Sequence, residues 1–171
     1  MRGPGQEIRP RHAAAFGGNA GLYLLLVRLK APTRLRIGAL GRRLLPAGWY
    51  VYTGSARRGL RQRLERHFAR HKRRRWHVDW LTSAPQAEVV GAVLIPLPPH
   101  SVRGDGCECV LNRRTGALRQ LDAVIPRFGA SDCRRGCPAH LWFSFRPLSL
   151  LELTGIAPGA AVLIPRPDAR R

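Results

Sequence analysis

The segment Gly21 to Leu29 (GLYLLLVRL) carries one charge, Arg28, and an unbroken apolar run from Leu22 to Val27. That run is far short of the ~20 residues an apolar helix needs to cross a bilayer. Its length and its leucine-rich, glycine-led composition suit a buried strand, long enough to be central in a sheet. Any fold open to this chain must cover such a strand. With 171 residues, 44% of them hydrophobic, the chain has the size and apolar content for one core. A single domain is expected over residues 21 to 163, with tails at 1 to 20 and 164 to 171 where Gly, Pro, Arg and Ala mix without periodicity.

Other elements follow from local pattern. Thr33 to Leu45 reads as a short hairpin, and Trp49 to Thr53 (WYVYT) as a strand rich in aromatic and β-branched residues. Gly54 and Ser55 are expected to turn the chain into a helix over Gly59 to His71. On that helix Leu60, Leu64 and Phe68 share one face, and Arg63, His67 and Arg70 line the border beside it. A short helix or turn is expected at Trp76 to Thr82 and a strand at Glu88 to Ile95. Pro96 to Gly104 reads as a loop, followed by a helix from Cys107 to Arg113 with Asp105 as its N-cap. Strands are expected at Leu121 to Ile125 and His140 to Phe145, and a last helix at Leu148 to Leu153. Hairpins mixed with helices, without regular βαβ units, give an α+β class: a small, mostly antiparallel central sheet flanked by helices.

The formal net charge is +20, from 30 basic and 10 acidic residues. A polyanion partner is one explanation and a GC-rich codon bias, which favours Arg, is another. Clustering separates them. The stretch Arg57 to Arg75 contains ten basic residues and one acid, Glu65. That density at one place points to an anion-binding surface, with a solvated charged face as the plain alternative. Arg57, Arg58, Arg61, Arg70, Arg74 and His77 are the candidate nucleic-acid contacts. No membrane segment is expected, and without an apolar stretch in the first 20 residues the expected location is the cytoplasm.

Several residues then fall into a familiar order: Gly21-Leu22-Tyr23 opening one strand, Tyr52-Thr53-Gly54-Ser55-Ala56 ending another, and Leu60, Arg63, Leu64 and His67 on the next helix. This order resembles the GIY-YIG nuclease superfamily. Gly48 to Ala56, Trp76-His77-Val78-Asp79-Trp80-Leu81, and Phe128-Gly129-Ala130-Ser131-Asp132-Cys133 with His140-Leu141 resemble its small stand-alone Uri-like branch. The resemblance implies a metal-dependent endonuclease that hydrolyses phosphodiester bonds in DNA, structure-selective and tied to repair or recombination. It makes Tyr52 the general base, with Tyr23 assisting or orienting the water. Arg63 becomes the phosphate clamp, and His67 a phosphate ligand or proton relay, with His77 a weaker candidate for the same work. Glu108 becomes the ligand of one Mg2+ or Mn2+ ion. One protein carboxylate is enough for Mg2+, which keeps waters and takes phosphate oxygens. Two departures stand out. The segment Thr33 to Leu45 separates the two tyrosines, and the superfamily's late Asn is matched by either Asn112 or Ser131-Asp132.

Plainer readings accompany these. Arg63 could be a snorkelling side chain and His67 a satisfied edge histidine. Asp105 to Glu108 has the spacing of a capping box, and Glu65 is most simply an ion-pair partner. Cys107, Cys109, Cys133, Cys137 and His140 include enough donors for zinc. Yet C-x-C on a helix directs its thiols to opposite faces, so structural zinc is not expected and buried free thiols are. The alternative functions are a non-catalytic nucleic-acid-binding module of the same fold, and a zinc-stabilised RNA-binding protein.

Overall fold

A computed structural model describes residues 19–97, 105–118, 120–157 and 159–165, with the backbone alone at 105–107. Its elements are β1 (Gly21–Leu29), β2 (Thr33–Arg36), β3 (Arg42–Leu45), β4 (Gly48–Ala56), α1 (Leu60–Phe68), α2 (His77–Thr82), β5 (Ala87–Pro96), α3 (Asp105–Gly116), β6 (Leu141–Ser144), α4 (Leu150–Thr154) and β7 (Ala161–Leu163). Five strands form one antiparallel sheet in the order β6-β4-β1-β5-β7, and β2 and β3 form a separate hairpin. Helices flank the sheet, as the α+β expectation requires. The expected tails at 1–18 and 166–171, most of the Pro96 to Gly104 loop and the Asp105 side chain lie outside the described residues.

The apolar run becomes the central strand because both faces of β1 are covered. Tyr23, Leu25, Val27 and Leu29 enter a core with Tyr50, Leu60, Leu64, Val78, Leu81 and Phe128. Leu22, Leu24 and Leu26 enter another with Val51, Leu111, Trp142 and Leu153. A strand buried on both faces has no need of polar alternation.

Three expectations are corrected. Gly54 and Ser55 do not turn the chain. They continue β4, paired with Tyr23 and Leu22 of β1, because the ladder to β1 extends to Ala56 and the bare Gly54 accommodates the Tyr23 ring. The helix expected to reach His71 stops at Phe68, where Ala69 is extended and Lys72 Nζ donates to the carbonyls of Arg66 (2.9 Å) and His67 (3.0 Å). A lysine that satisfies terminal carbonyls ends a helix in place of a further turn. Leu121 to Ile125 is not a strand. Only Asp122 bridges to Phe143, while Leu121 and Ile125 are buried one in each core. Their burial explains the apolar pattern without a ladder. β7, an edge strand of three residues, is not among the expected elements.

Candidate functional site

The β1–β4 register builds the centre of the site. Tyr23 pairs with Gly54 and Leu25 with Tyr52, so the two tyrosines are diagonal neighbours on one face of the sheet. Their ring centroids are 6.3 Å apart. The long insertion between them is absorbed by the β2–β3 hairpin, which leaves β1 and β4 adjacent. Gly54 is needed at this place: a Cβ there would collide with the Tyr23 ring and hydroxyl.

α1 supplies the imidazole. His67 is buried, and its Nε2 lies 2.8 Å from Tyr23 Oη. It is therefore enclosed, although the helical wheel puts it on the border of the apolar stripe. Trp76, packed against His67 at 6.0 Å between centroids, is among the residues that cover it. Burial holds the imidazole neutral, its pKa lowered to about 3; the Lys72 cation acts in the same direction, Asp79 opposes, and Arg63 and Arg66 add to the lowering. Burial also pushes the Tyr23 phenol well above its usual range, with Arg63 pulling it back in part and Glu108 and Asp79 adding to the rise. Tyr52 is likewise pushed up, by burial and then by Tyr23 and Glu108, against Arg63. The Tyr52 ring packs edge-on against His67 and Phe128.

Asp79 was not singled out from the sequence as a site residue, although it is one of few acids in a basic chain and sits in an apolar helix. It is fully buried. Its Oδ2 accepts from Arg66 Nη2 (2.6 Å) and from the backbone N–H groups of Arg75 (2.8 Å) and Trp76 (3.0 Å). Burial works against its charge, but these donors outweigh burial and lower its pKa. Among the described residues its Oδ1 has no hydrogen-bond partner, and it faces His67 Nδ1, likewise without one, at 3.9 Å. Asp79, His67 and Tyr23 thus form a line from a buried carboxylate to a phenol.

Ser55, near the end of β4, joins the two layers. Its carbonyl accepts from Arg63 Nη1 at 2.8 Å, and its hydroxyl donates to Glu108 of α3. Ser55 pairs with Leu22, whose side chain lies on the α3 face, so Glu108 reaches β4 from that side and Arg63 from the α1 side. Stacking on Trp76, 4.5 Å from the ring centroid, fixes the Arg63 guanidinium. Among the described residues Arg63 donates to the Ser55 carbonyl, and its cation also lowers the Tyr23 pKa, with further N–H donors of the fork left over. Glu108 Oε1 pairs with His140 Nδ1 at 2.8 Å, and its side chain remains one-quarter exposed. Its carboxylate is engaged with Ser55 and His140, which directs it toward the sheet. A single hard oxygen donor with lone pairs to spare and partial access to solvent fits a Mg2+ ion that keeps most of its waters.

His77 stands to one side. Its Nδ1 accepts from the Gly129 N–H at 3.1 Å and its ring packs on Phe128. Burial lowers its pKa, opposed by Asp132. Asn112 is buried in the α3 core, bonded to the Ala139 carbonyl and to the Trp142 indole, which occupies the side chain structurally.

The basic run is mostly exposed. Arg57 and Arg58 follow β4 directly, and Arg61 is ion-paired with Glu65 at 2.9 Å, as the plain reading of Glu65 expects. Arg70, Lys72 and Arg74, with His71, Ser83 and Pro85, line an open depression of about 750 Å3. Burial lowers the Lys72 pKa to about 8, with Asp79 opposing and Arg66 adding to the effect.

The cysteines correct an expectation. Cys109 of α3 meets Cys133, Cys137 and His140, and one donor atom from each lies within 4.8 Å of every other. This Cys3His cluster could hold a metal ion such as zinc. Among the described residues the cluster takes Cys109 from the helical C-x-C pair, and its other donors come from the segment leading into β6. The Cys107 side chain lies outside the described residues.

The fold and site define a small α+β protein with one buried and one partly buried tyrosine, a neutral histidine, a stacked arginine and a lone glutamate at one end of an antiparallel sheet. The family model described as Domain of unknown function DUF123 matches residues 22–154, and the chain belongs to that family. No curated protein and no solved structure matches it. No helix among the described residues is long and apolar enough to cross a membrane.

Proposed function

We propose that the protein is a metal-dependent endonuclease of the GIY-YIG type, hydrolysing phosphodiester bonds in DNA. The observation that carries this reading is the meeting of Tyr23 of β1 and Tyr52 of β4 with His67 and Arg63 of α1, and of Glu108 of α3 with the end of β4 at Ser55; these are the residues that the sequence resemblance implies.

The hydrogen bond to His67 favours Tyr23 as the residue that takes a proton from the attacking water. Tyr23 O–H donates to the neutral Nε2, which places the imidazole proton on Nδ1, facing Asp79. As water gives its proton to the Tyr23 oxygen, the phenolic proton passes to Nε2, and the buried Asp79 carboxylate stabilises the cation so formed. A free phenol, with pKa ~10, lies about three units above neutral pH, or roughly 4 kcal/mol. Transfer through His67 replaces the phenolate by an imidazolium whose pKa of about 3 leaves a cost of similar size, which the charges placed at the phosphate have to offset. Tyr52, beside both groups, orients the water. Arg63 offers its unused N–H donors to the scissile phosphate and balances charge that develops there. Glu108, held by Ser55 and His140, would bind Mg2+ or Mn2+. When bound, that ion supplies Lewis-acid stabilisation of the leaving oxygen. Arg57, Arg58, Arg70 and Arg74 contact the backbone on either side.

The test incubates labelled branched, flapped and linear DNAs with the full chain in Mg2+, beside Arg63→Ala and Glu108→Ala. Cleavage leaving 5′-phosphate and 3′-hydroxyl ends is expected, lost in both variants. Equal cleavage by Glu108→Ala removes the assigned metal ligand. Binding without cleavage of any substrate replaces the enzyme with a nucleic-acid-binding module.

A further inference from the structure

His140 is bonded at one ring nitrogen and orphaned at the other. Nδ1 meets Glu108 Oε1 at 2.8 Å, while Nε2 is buried without a hydrogen-bond partner among the described residues. A buried polar nitrogen left unpaired costs free energy and calls for an explanation. Around it lie three thiols. Cys109 Sγ and Cys133 Sγ are 3.6 Å apart, with Cys137 completing the set inside the 4.8 Å limit. A disulfide has S–S near 2.05 Å. Tetrahedral zinc with bonds of about 2.3 Å requires sulfurs about 3.8 Å apart. The observed spacing suits the metal.

We propose that Cys109, Cys133, Cys137 and His140 Nε2 bind one Zn2+ ion, and that this zinc, through His140, positions Glu108. With Nε2 on zinc, the remaining ring proton sits on Nδ1 and is donated to Glu108 Oε1. Histidine ligands of zinc commonly donate their second N–H to a carboxylate in this way, which fixes the ring orientation. Here the same carboxylate is held from its other oxygen by Ser55. The zinc cluster and the nuclease site are therefore joined by the His140–Glu108 hydrogen bond. The donor set also closes structure locally, since it ties α3 to the segment that leads into β6. The zinc assignment stands on the cluster alone. The positioning of Glu108 for catalysis rests on the nuclease reading.

The test uses the full chain purified without chelator. Elemental analysis is expected to give one zinc per chain. Cobalt added to the zinc-free protein should show the visible bands and thiolate-to-metal charge transfer of a tetrahedral sulfur-rich site. Cys133→Ser should weaken cobalt binding at least a hundredfold, whereas Glu108→Gln should keep one metal per chain with affinity reduced by no more than about 10- to 100-fold. Absence of zinc and of the cobalt bands in the wild-type protein, or a Cys109–Cys133 disulfide in place of metal, overturns the site. Because the wild-type spectrum decides this, a variant that fails to fold does not. For the coupling, Mn2+ binding is read by electron paramagnetic resonance in zinc-loaded and zinc-free protein. About tenfold weaker Mn2+ binding without zinc is expected, and unchanged binding overturns the positioning role. Zinc bound without DNA cleavage defeats the nuclease reading and leaves the zinc site; cleavage by a protein that binds no zinc does the reverse.

Discussion

Tyr23 Oη lies 2.8 Å from His67 Nε2, and both side chains are buried. Burial keeps the phenol and the imidazole neutral, and the hydrogen bond they share satisfies both polar groups away from water. Removal of either partner leaves the other unsatisfied.

Tyr23→Phe should therefore fold but lose about 1–3 kcal/mol, the cost of a buried polar atom without a partner. Chemical denaturation would register this as a lower midpoint with an unchanged slope. A midpoint equal to wild type would remove the hydrogen bond from the account.

The lowered His67 pKa has a definite pH signature. Its folded value is about 3 against an ordinary 6.5, so the unfolded chain binds more protons between them. The stability it contributes is complete above pH 6.5 and is lost as the pH falls toward 3. Lys72, Asp79, Arg63 and Arg66 surround it, and Asp79, with its own lowered pKa, loses stability at still lower pH. In denaturation midpoints measured from pH 7 to 4, His67→Gln should show a flatter decline than wild type. Parallel declines would place the acid sensitivity elsewhere.

Asp79→Ala should cost about 3–5 kcal/mol, because Arg66 and two backbone N–H groups lose their shared acceptor. Glu65→Ala, which breaks an exposed pair, should change stability by less than about 1 kcal/mol. Thermal melts of the two variants would reverse this order if Asp79 were not the anchor of α1 and α2.

Gly54→Ala places a methyl group against Tyr23 and should cost about 1–3 kcal/mol and displace the phenol from His67. A Gly41→Ala control tests a glycine with open space around it but with φ +72°, so only its strain, not collision, contributes. Loss of cleavage in the control but not in Gly54→Ala would contradict the packing argument.

Arg57→Ala and Arg74→Ala should each weaken binding to all DNA sequences alike and lower the salt-dependence slope by about 1. Fluorescence anisotropy across a salt series measures it. A sequence-dependent loss would mean contact with base edges in place of phosphates.

Much of this arrangement is legible in the chain. The apolar run fixes β1, the aromatic and β-branched run fixes β4, and Leu60 with Leu64 orients α1. What local pattern misses depends on pairing at a distance. Gly54 looks like a turn residue until its partner Tyr23 is known. His67 lies beside the apolar stripe, yet Trp76 and the two tyrosines close over it. Asp79, Ser55 and His140 take their roles from partners on other elements. The cysteines read as free thiols because sequence spacing describes one segment, whereas Cys109 and Cys133 meet across a loop.

The central claim is most directly tested by single-turnover cleavage of a branched DNA in Mg2+ by wild type and Tyr23→Phe, with binding measured in parallel. General-base catalysis contributes about 10²- to 10⁴-fold, so the variant should lose that much in rate while binding DNA as tightly as wild type. A variant that cleaves at the wild-type rate, or a wild-type protein that binds every substrate and cuts none, would contradict the account.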